Sequence, residues 1–212
     1  MPLKEVGIVE LPDAQGSSFD HGAFDPKTRR VFVAHTARDR VEVIDHDLRR
    51  HFSTVDGFPE ATGVVADGGH VLVTNRGSAQ VVCLDACTLE TRDVLDTGTR
   101  PNGVAIVSRS HLAVVACIGD QQHGPELQVF DRRGGRRWAV NLPGQPRWCV
   151  TDDVGQRVFL AIREPSMLLV AQLPELDGIE HWILPVRGAH GLESTMERAC
   201  CMSRATMEGS WR

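Results

Sequence analysis

The sequence predicts an all-β fold built from about four consecutive repeats, and three observations predict it. Turn glycines recur about every forty residues, because Gly22, Gly63 and Gly103 lie 41 and 40 residues apart. Each glycine is followed by short runs rich in Val, Ile and Phe that are bounded by Gly, Pro, Asp or Asn, as strands are. No segment shows a sustained helical period of apolar residues, so few helices are expected. Four strands in a unit of this length are typical of a β-propeller blade.

Each repeat contains four apolar runs, which predict four strands in chain order. The first runs are residues 21–24, 62–65, 102–105 and 147–150. The second runs are residues 31–34, 71–74, 112–116 and 158–161. The third runs are residues 41–45, 81–85, 127–131 and 168–172. The weaker fourth runs are residues 51–55, 92–95, 137–140 and 181–184.

Regular spacing supports this alignment of the runs. Asp45 precedes Gly63 by 18 residues, and Asp85 precedes Gly103 by the same number. An aspartate at the end of the third run suits a turn, because its carboxylate can accept hydrogen bonds from backbone amides just ahead. The aspartates therefore predict tight turns between the third and fourth strands.

The repeats predict a partial β-propeller over residues 1–192. The expected blades cover residues 19–58, 59–99, 100–144 and 145–187. Residues 4–11 are predicted as a lone outer strand, of the kind that completes the last blade of a closed ring. Because the last blade is not seen, we expect an incomplete ring with open blade edges, through which the protein could self-associate.

The segment 193–212 differs from the repeats and is predicted to lie outside the propeller pattern. It holds two of the six cysteines and three of the five methionines. One permissible codon choice for residues 194–212, read out of phase, encodes DHGTGLLHVACDDGRLVE, which resembles the opening of a further blade. We hypothesise a frameshift, which the gene sequence tests; the alternative is a divergent or helical tail.

Composition excludes several classes of function. The formal net charge is −5 and the pI is near 6.0, so no basic surface for nucleic acid is expected. No run of apolar residues is long enough for a membrane span. The start of the chain lacks the features of a signal peptide, which favours a cytoplasmic location if this start is authentic.

Candidate binding residues occupy the loops that share one face of a propeller around its central channel. Loops entering the first strands contribute His21, Thr62, Asn102, Arg147 and His190. Loops joining the second and third strands contribute His35, Asn75 and Cys117, with Arg76 and Arg163 beside them. Such side chains can bind an anion or a polar metabolite. A structural role is the alternative, because polar residues at turns also satisfy backbone groups, and Cys117 is expected to be a buried thiol.

Three segments resemble the YVTN-type β-propeller family, whose repeats are about forty residues long. They are residues 100–104 (RPNGV), 71–75 (VLVTN) and 41–45 (VEVID), and the resemblance covers roughly residues 19–192. The fourth repeat departs from it, with Trp148 in the glycine position and Gln172 in the aspartate position. The resemblance implies the fold but not an activity, since propellers support many functions.

Two functions of different classes remain open. The favoured one is a binding or interaction scaffold whose channel face holds a small polar ligand or a peptide, with no cofactor. The alternative is a metal-dependent lactonase-like or lyase-like enzyme, inactive or impaired in this form, with His21 or His190 as acid or base. A divalent metal is the less favoured occupant, because no metal-ligand spacing is strong.

Overall fold

The computed structural model describes residues 4–152, 154, 156–194 and 199–203, with only the backbone of residues 194 and 199–203. Strands make up nearly all of its regular structure, and a single turn of 3-10 helix lies at Thr36–Arg38 in the described part of the chain. The chain divides into two compact units, residues 1–95 and 96–212. Each unit contains two antiparallel four-stranded sheets.

The first unit consists of two consecutive blades. Its first sheet contains β1 (Gly22–Asp25), β2 (Arg30–His35), β3 (Arg40–Asp45) and β4 (Arg50–Asp56). Its second sheet contains β5 (Ala61–Asp67), β6 (His70–Asn75), β7 (Gln80–Asp85) and β8 (Thr91–Asp96). Neighbours in each sheet are also neighbours in sequence, so each sheet is a meander.

The second unit repeats this arrangement. Its first sheet contains β9 (Pro101–Val107), β10 (Leu112–Cys117), β11 (Glu126–Asp131) and β12 (Arg137–Asn141). Its second sheet contains β13 (Pro146–Asp152), β14 (Arg157–Ile162), β15 (Met167–Gln172) and β16 (Glu180–Ile183). The prediction of four blades, each with four antiparallel strands, is confirmed. Each four-stranded sheet falls inside one predicted blade.

Aspartates close the turns after the third strands, as the sequence predicts. The Asp45 carboxylate accepts a hydrogen bond from the amide of Leu48 at 2.8 Å. The Asp85 carboxylate accepts bonds from the amides of Cys87 and Thr88 at 2.8 and 2.9 Å. These bonds satisfy backbone donors that the strand ladders leave free, which explains the aspartate at this position of the repeat.

Each unit has its own apolar core, made by the two central strands of its blades. The largest fully buried apolar side chains of the first unit are Phe32, Leu72 and Leu84. Those of the second unit include Leu127 and Leu160. The second and third strands are mostly apolar and are buried on both faces, whereas the fourth strands are largely exposed.

Two parts of the chain differ from the sequence prediction. The structure assigns no strand to residues 4–11, which were expected to form an outer strand. A strand needs a neighbour for its N–H and C=O groups, and none of the described strands pairs with this segment. Within the segment 193–212, β18 (Ala199–Ser203) pairs antiparallel with β17 (Ala189–Ser194), while residues 195–198 and 204–212 lie outside the described residues.

No helix in the described part of the chain is long and apolar enough to cross a membrane.

Candidate functional site

Backbone hydrogen bonds at the start of β1 bring two predicted site residues of the first unit together. The amide of His21 donates to the carbonyl of Thr62 at 3.1 Å. The carbonyl of His21 in turn accepts from the amide of Ala34 at 2.9 Å. These bonds fix His21 where β1 approaches β5, so the opening of the first blade lies against the opening of the second.

A small charged cluster surrounds this point, and we call Asp20, His21 and Arg76 the loop cluster. One carboxylate oxygen of Asp20 lies 2.6 Å from His21 Nδ1. The other lies 3.8 Å from Arg76 Nη2. Asp20 thus lies within ion-pair distance of both side chains, and the Arg76 side chain is 18% exposed. A guanidinium presents five N–H donors in a fixed planar fork.

Thr62 and Asn75 lie beneath this cluster and are buried. Thr62 Oγ1 lies 3.0 Å from Thr74 Oγ1, which accepts a hydrogen bond from the amide of Gly63 at 2.7 Å. These bonds give Thr62 a structural part at the β-bulge of β5. Asn75 Oδ1 accepts no hydrogen bond from any described residue. An unsatisfied buried acceptor costs about 1–3 kcal/mol.

His35 does not belong to an open loop surface, where the sequence alignment placed it. Its side chain is completely buried at the end of β2. Nδ1 lies 2.8 Å from Glu42 Oε1, and Nε2 lies 2.7 Å from Ser17 Oγ. The ring also stacks on Phe19, with the two centroids 4.1 Å apart. The segment before β1 therefore covers His35, which removes it from the predicted channel face.

Glu42 is the centre of this buried network on β3. Its carboxylate accepts hydrogen bonds from Arg40 Nε at 2.7 Å and Thr54 Oγ1 at 2.7 Å, and it lies 3.0 Å from His51 Nε2. Burial by itself raises the pKa of Glu42, but the hydrogen bonds outweigh it and hold the pKa below its ordinary value. Glu42 is thus an ionised carboxylate inside the blade.

The predicted site residues of the second unit differ from one another in burial and in their contacts. Asn102 is buried, and its Nδ2 donates to the carbonyl of Arg147 at 3.0 Å, which ties β9 to β13. Arg147 Nη2 donates to Gln145 Oε1 at 3.1 Å. Arg163 is exposed, whereas His190 is half-buried in β17. The hydrogen bond from Asn102 to the Arg147 carbonyl brings two of the predicted residues together.

The thiols of Cys117 and Cys149 are buried. Burial, with a smaller contribution from Glu126, raises the pKa of Cys117 to about 12. Burial also raises the pKa of Cys149 to about 12, and Cys117 adds to the effect. Both remain protonated at neutral pH, and the thiolate is the form that binds metals or attacks electrophiles. The burial of Cys117 agrees with the prediction that it is a buried thiol.

Across the part of the chain that the structure describes, no three His, Cys, Asp or Glu side chains lie close enough to hold a metal ion. The two histidines that contact Glu42 come nearest to such a group. His35 uses its second nitrogen on Ser17, however, and Arg40 already occupies the carboxylate. The arrangement neutralises a buried charge with donors and leaves no open coordination position.

The described fold is similar to that of solved β-propeller proteins. Hydrazine synthase from Kuenenia stuttgartiensis matches with a TM-score of 0.68 at 14% identity, over 87% of this chain and 55% of that chain. A streptogramin B lyase matches at 0.68 and 11%, over 83% and 58%. A chain of the mitotic checkpoint complex matches at 0.72 and 11%, over 88% and 58%.

These likenesses show the fold alone, because the identities are low. The chain spans somewhat more than half the length of these structures. No family model matches the sequence. No curated protein matches it either.

Two residues that the structure makes prominent, Ser17 and Glu42, are not among those predicted from the sequence. Only Glu42 carries a signal in the sequence, because it is a charged residue between Val41 and Val43 in an otherwise apolar central strand. A buried charge is rarely placed there without partners. Ser17 lies outside the repeats, so the alignment of repeats could not find it.

Proposed function

We propose that the chain is part of a propeller of the YVTN-repeat type that acts as a binding scaffold, with the loop cluster as its ligand site. The observation that carries the proposal is the pairing of Asp20 with both His21 and Arg76 at a point where two blade openings meet. The loop cluster is thus a small polar site on loops that the rigid strands of the blades hold in position, as is common for binding residues.

The chemistry of the loop cluster favours a small ligand with a carboxylate. Arg76 offers a planar fork of donors, which matches the two oxygens of a carboxylate. Asp20 orients that fork, and its long contact of 3.8 Å with Arg76 is loose enough to share the guanidinium with a ligand.

Titration with succinate, followed by amide NMR shifts, tests the proposal on the whole chain. We expect shifts centred on residues 20–21 and 75–76. Arg76→Gln should weaken binding by about tenfold or more, because hydrogen bonds to charged groups are worth roughly 1.5–3 kcal/mol. The matched control is Arg50→Gln, since Arg50 is an exposed arginine of the same unit that lies at the opposite end of its blade.

Two results would contradict this site. One is saturable binding of succinate that is equally strong in the Arg76→Gln protein. The other is the absence of any shift at the loop cluster up to the solubility limit of both succinate and inorganic phosphate.

A further inference from the structure

Three side chains of the first unit form a continuous hydrogen-bonded row: Ser17, His35 and Glu42. Ser17 Oγ lies 2.7 Å from His35 Nε2. On the other side of the ring, His35 Nδ1 lies 2.8 Å from Glu42 Oε1. A hydroxyl, an imidazole and a carboxylate in this order have the geometry by which a serine is activated as a nucleophile.

The environment of Glu42 decides which nitrogen of His35 carries the proton. Every other partner of the carboxylate is a donor, including the Arg40 guanidinium and the Thr54 hydroxyl. Glu42 is therefore ionised and accepts from His35 Nδ1–H. In the neutral ring this leaves Nε2 as the acceptor for the Ser17 hydroxyl proton, as a general base requires.

Packing holds the row rigid and leaves only its outer end open. His35 and Glu42 are completely buried, and Phe19 stacks on the imidazole. Ser17, in contrast, is only partly buried, on the segment that precedes β1. Ser17 is therefore the member of the row that lies nearest to solvent. A functional nucleophile needs neighbouring residues whose side chains are held in place by packing and hydrogen bonds.

A cavity of about 560 Å³ is lined by residues 9–11, 13–15 and 19 of the segment before β1; Ser17 is not one of its lining residues, but Phe19 is. Its walls include the apolar residues Val9, Leu11 and Phe19, together with the carboxylates of Glu10 and Asp13. Phe19 is shared between the cavity and the stacked ring of His35. An acyl group that is apolar and neutral or cationic fits these walls, whereas an anionic one would face two carboxylates.

The amide of Ser18 directly follows the Ser17 hydroxyl group in the chain. Among the described residues no hydrogen bond from this amide is formed, although the neighbouring Ser17 amide donates to Ala14. The amide that follows a nucleophile commonly stabilises the negative oxygen of the intermediate.

We propose that Ser17 is a nucleophile for acyl transfer from small neutral or cationic esters, with His35 as its general base and Glu42 as the positioning residue. Ser17 Oγ bonds to the acyl carbon while its proton passes to His35 Nε2. The bond to the leaving oxygen then breaks, and the alcohol departs with that proton. Water, deprotonated by His35, hydrolyses the acyl-serine to a carboxylic acid and restores Ser17. This activity goes beyond ligand binding at the loop cluster and uses none of its residues.

A fluorophosphonate probe tests the nucleophile directly on the folded chain. Ser17 Oγ would form a bond to phosphorus as the P–F bond breaks, with fluoride leaving and the hydroxyl proton moving to His35. Tryptic digestion gives the peptide 5–27, which holds both Ser17 and Ser18. We expect the adduct on Ser17 to form about 100-fold faster than on Ser18, since general base catalysis contributes roughly 10²–10⁴-fold.

Three comparisons make the result decisive. Ser17→Ala should abolish labelling, whereas Ser18→Ala, an exposed serine one residue away, should retain it. The chain unfolded in urea should not label, because the row no longer exists there. His35→Gln should abolish labelling while the protein remains folded by circular dichroism; if that variant unfolds, the Ser17 and Ser18 comparison still decides. Equal labelling of the two serines, no adduct on folded protein, or equal rates in urea would overturn the proposal.

Discussion

Replacing Glu42 with leucine is expected to destabilise the protein by about 3–5 kcal/mol, the usual cost of removing one partner from a buried ion pair. The change removes the acceptor of four side chains, so that the Arg40 guanidinium and the His35 and His51 rings lose their partner. Leucine is no smaller than glutamate, so the substitution leaves no cavity and the loss reports the broken network. Urea unfolding followed by circular dichroism measures it.

Glu5→Leu is the matched control, because Glu5 is exposed and lies before the first blade. It should change the free energy of unfolding by less than about 0.5 kcal/mol. A Glu42→Leu protein as stable as this control would show that the network contributes nothing, and the assignment of Glu42 as the organising charge of the first blade would be wrong.

The same network sets an acid limit to stability. The pKa of Glu42 is lower in the folded protein than in the unfolded chain, where a glutamate has a pKa of about 4.3. The stabilisation is therefore fully present above that unfolded pKa, and it is lost as the pH falls through the lower, folded pKa. In the Glu42→Leu protein this part of the acid dependence should be absent.

Replacing Gly103 with alanine is expected to destabilise the second unit by about 1–3 kcal/mol, the usual cost of forced overpacking. A Cβ at this position would overlap the carbonyl oxygen of Arg147 and would lie 3.1 Å from Trp148 Cα. Both neighbours are backbone atoms of β13, so no side-chain rotation relieves the contact. The strands β9 and β13 would have to separate, which would also strain the bond from Asn102 to the Arg147 carbonyl.

Gly124→Ala is the control for that substitution, since a Cβ at Gly124 would meet nothing within 4 Å. Thermal unfolding of both variants beside the parent chain measures the difference. If Gly103→Ala and Gly124→Ala unfold at the same temperature, the close approach of β9 and β13 does not exist as described.

The fold was predictable because the repeat carries the same information several times. The glycine position that Gly22, Gly63 and Gly103 share marks the opening of a blade, and the later aspartate marks its last turn. At Gly103 the reason is now visible, because β13 passes too close for any side chain. Trp148 breaks the pattern in the fourth repeat, and it packs against the cluster that includes Phe159 and Leu168.

The site was less predictable, because its contacts cross between the repeats and the segment before them. The alignment identified His35 and Arg76 as polar loop residues, yet it could not show that Ser17 covers His35 or that Asp20 joins His21 to Arg76. Residues 4–11 illustrate the opposite case. Their apolar composition favours a strand, but a strand forms only where a partner edge is available.

Amide hydrogen exchange, resolved to short peptides by mass spectrometry, tests the four-blade architecture most directly. We expect strong protection in the two central strands of every four-stranded sheet, at β2–β3, β6–β7, β10–β11 and β14–β15, because these strands are buried and paired on both sides. Protection should therefore rise and fall with a period of about forty residues. A protection pattern without that period, or one confined to a single segment, would show that the four-blade architecture is wrong.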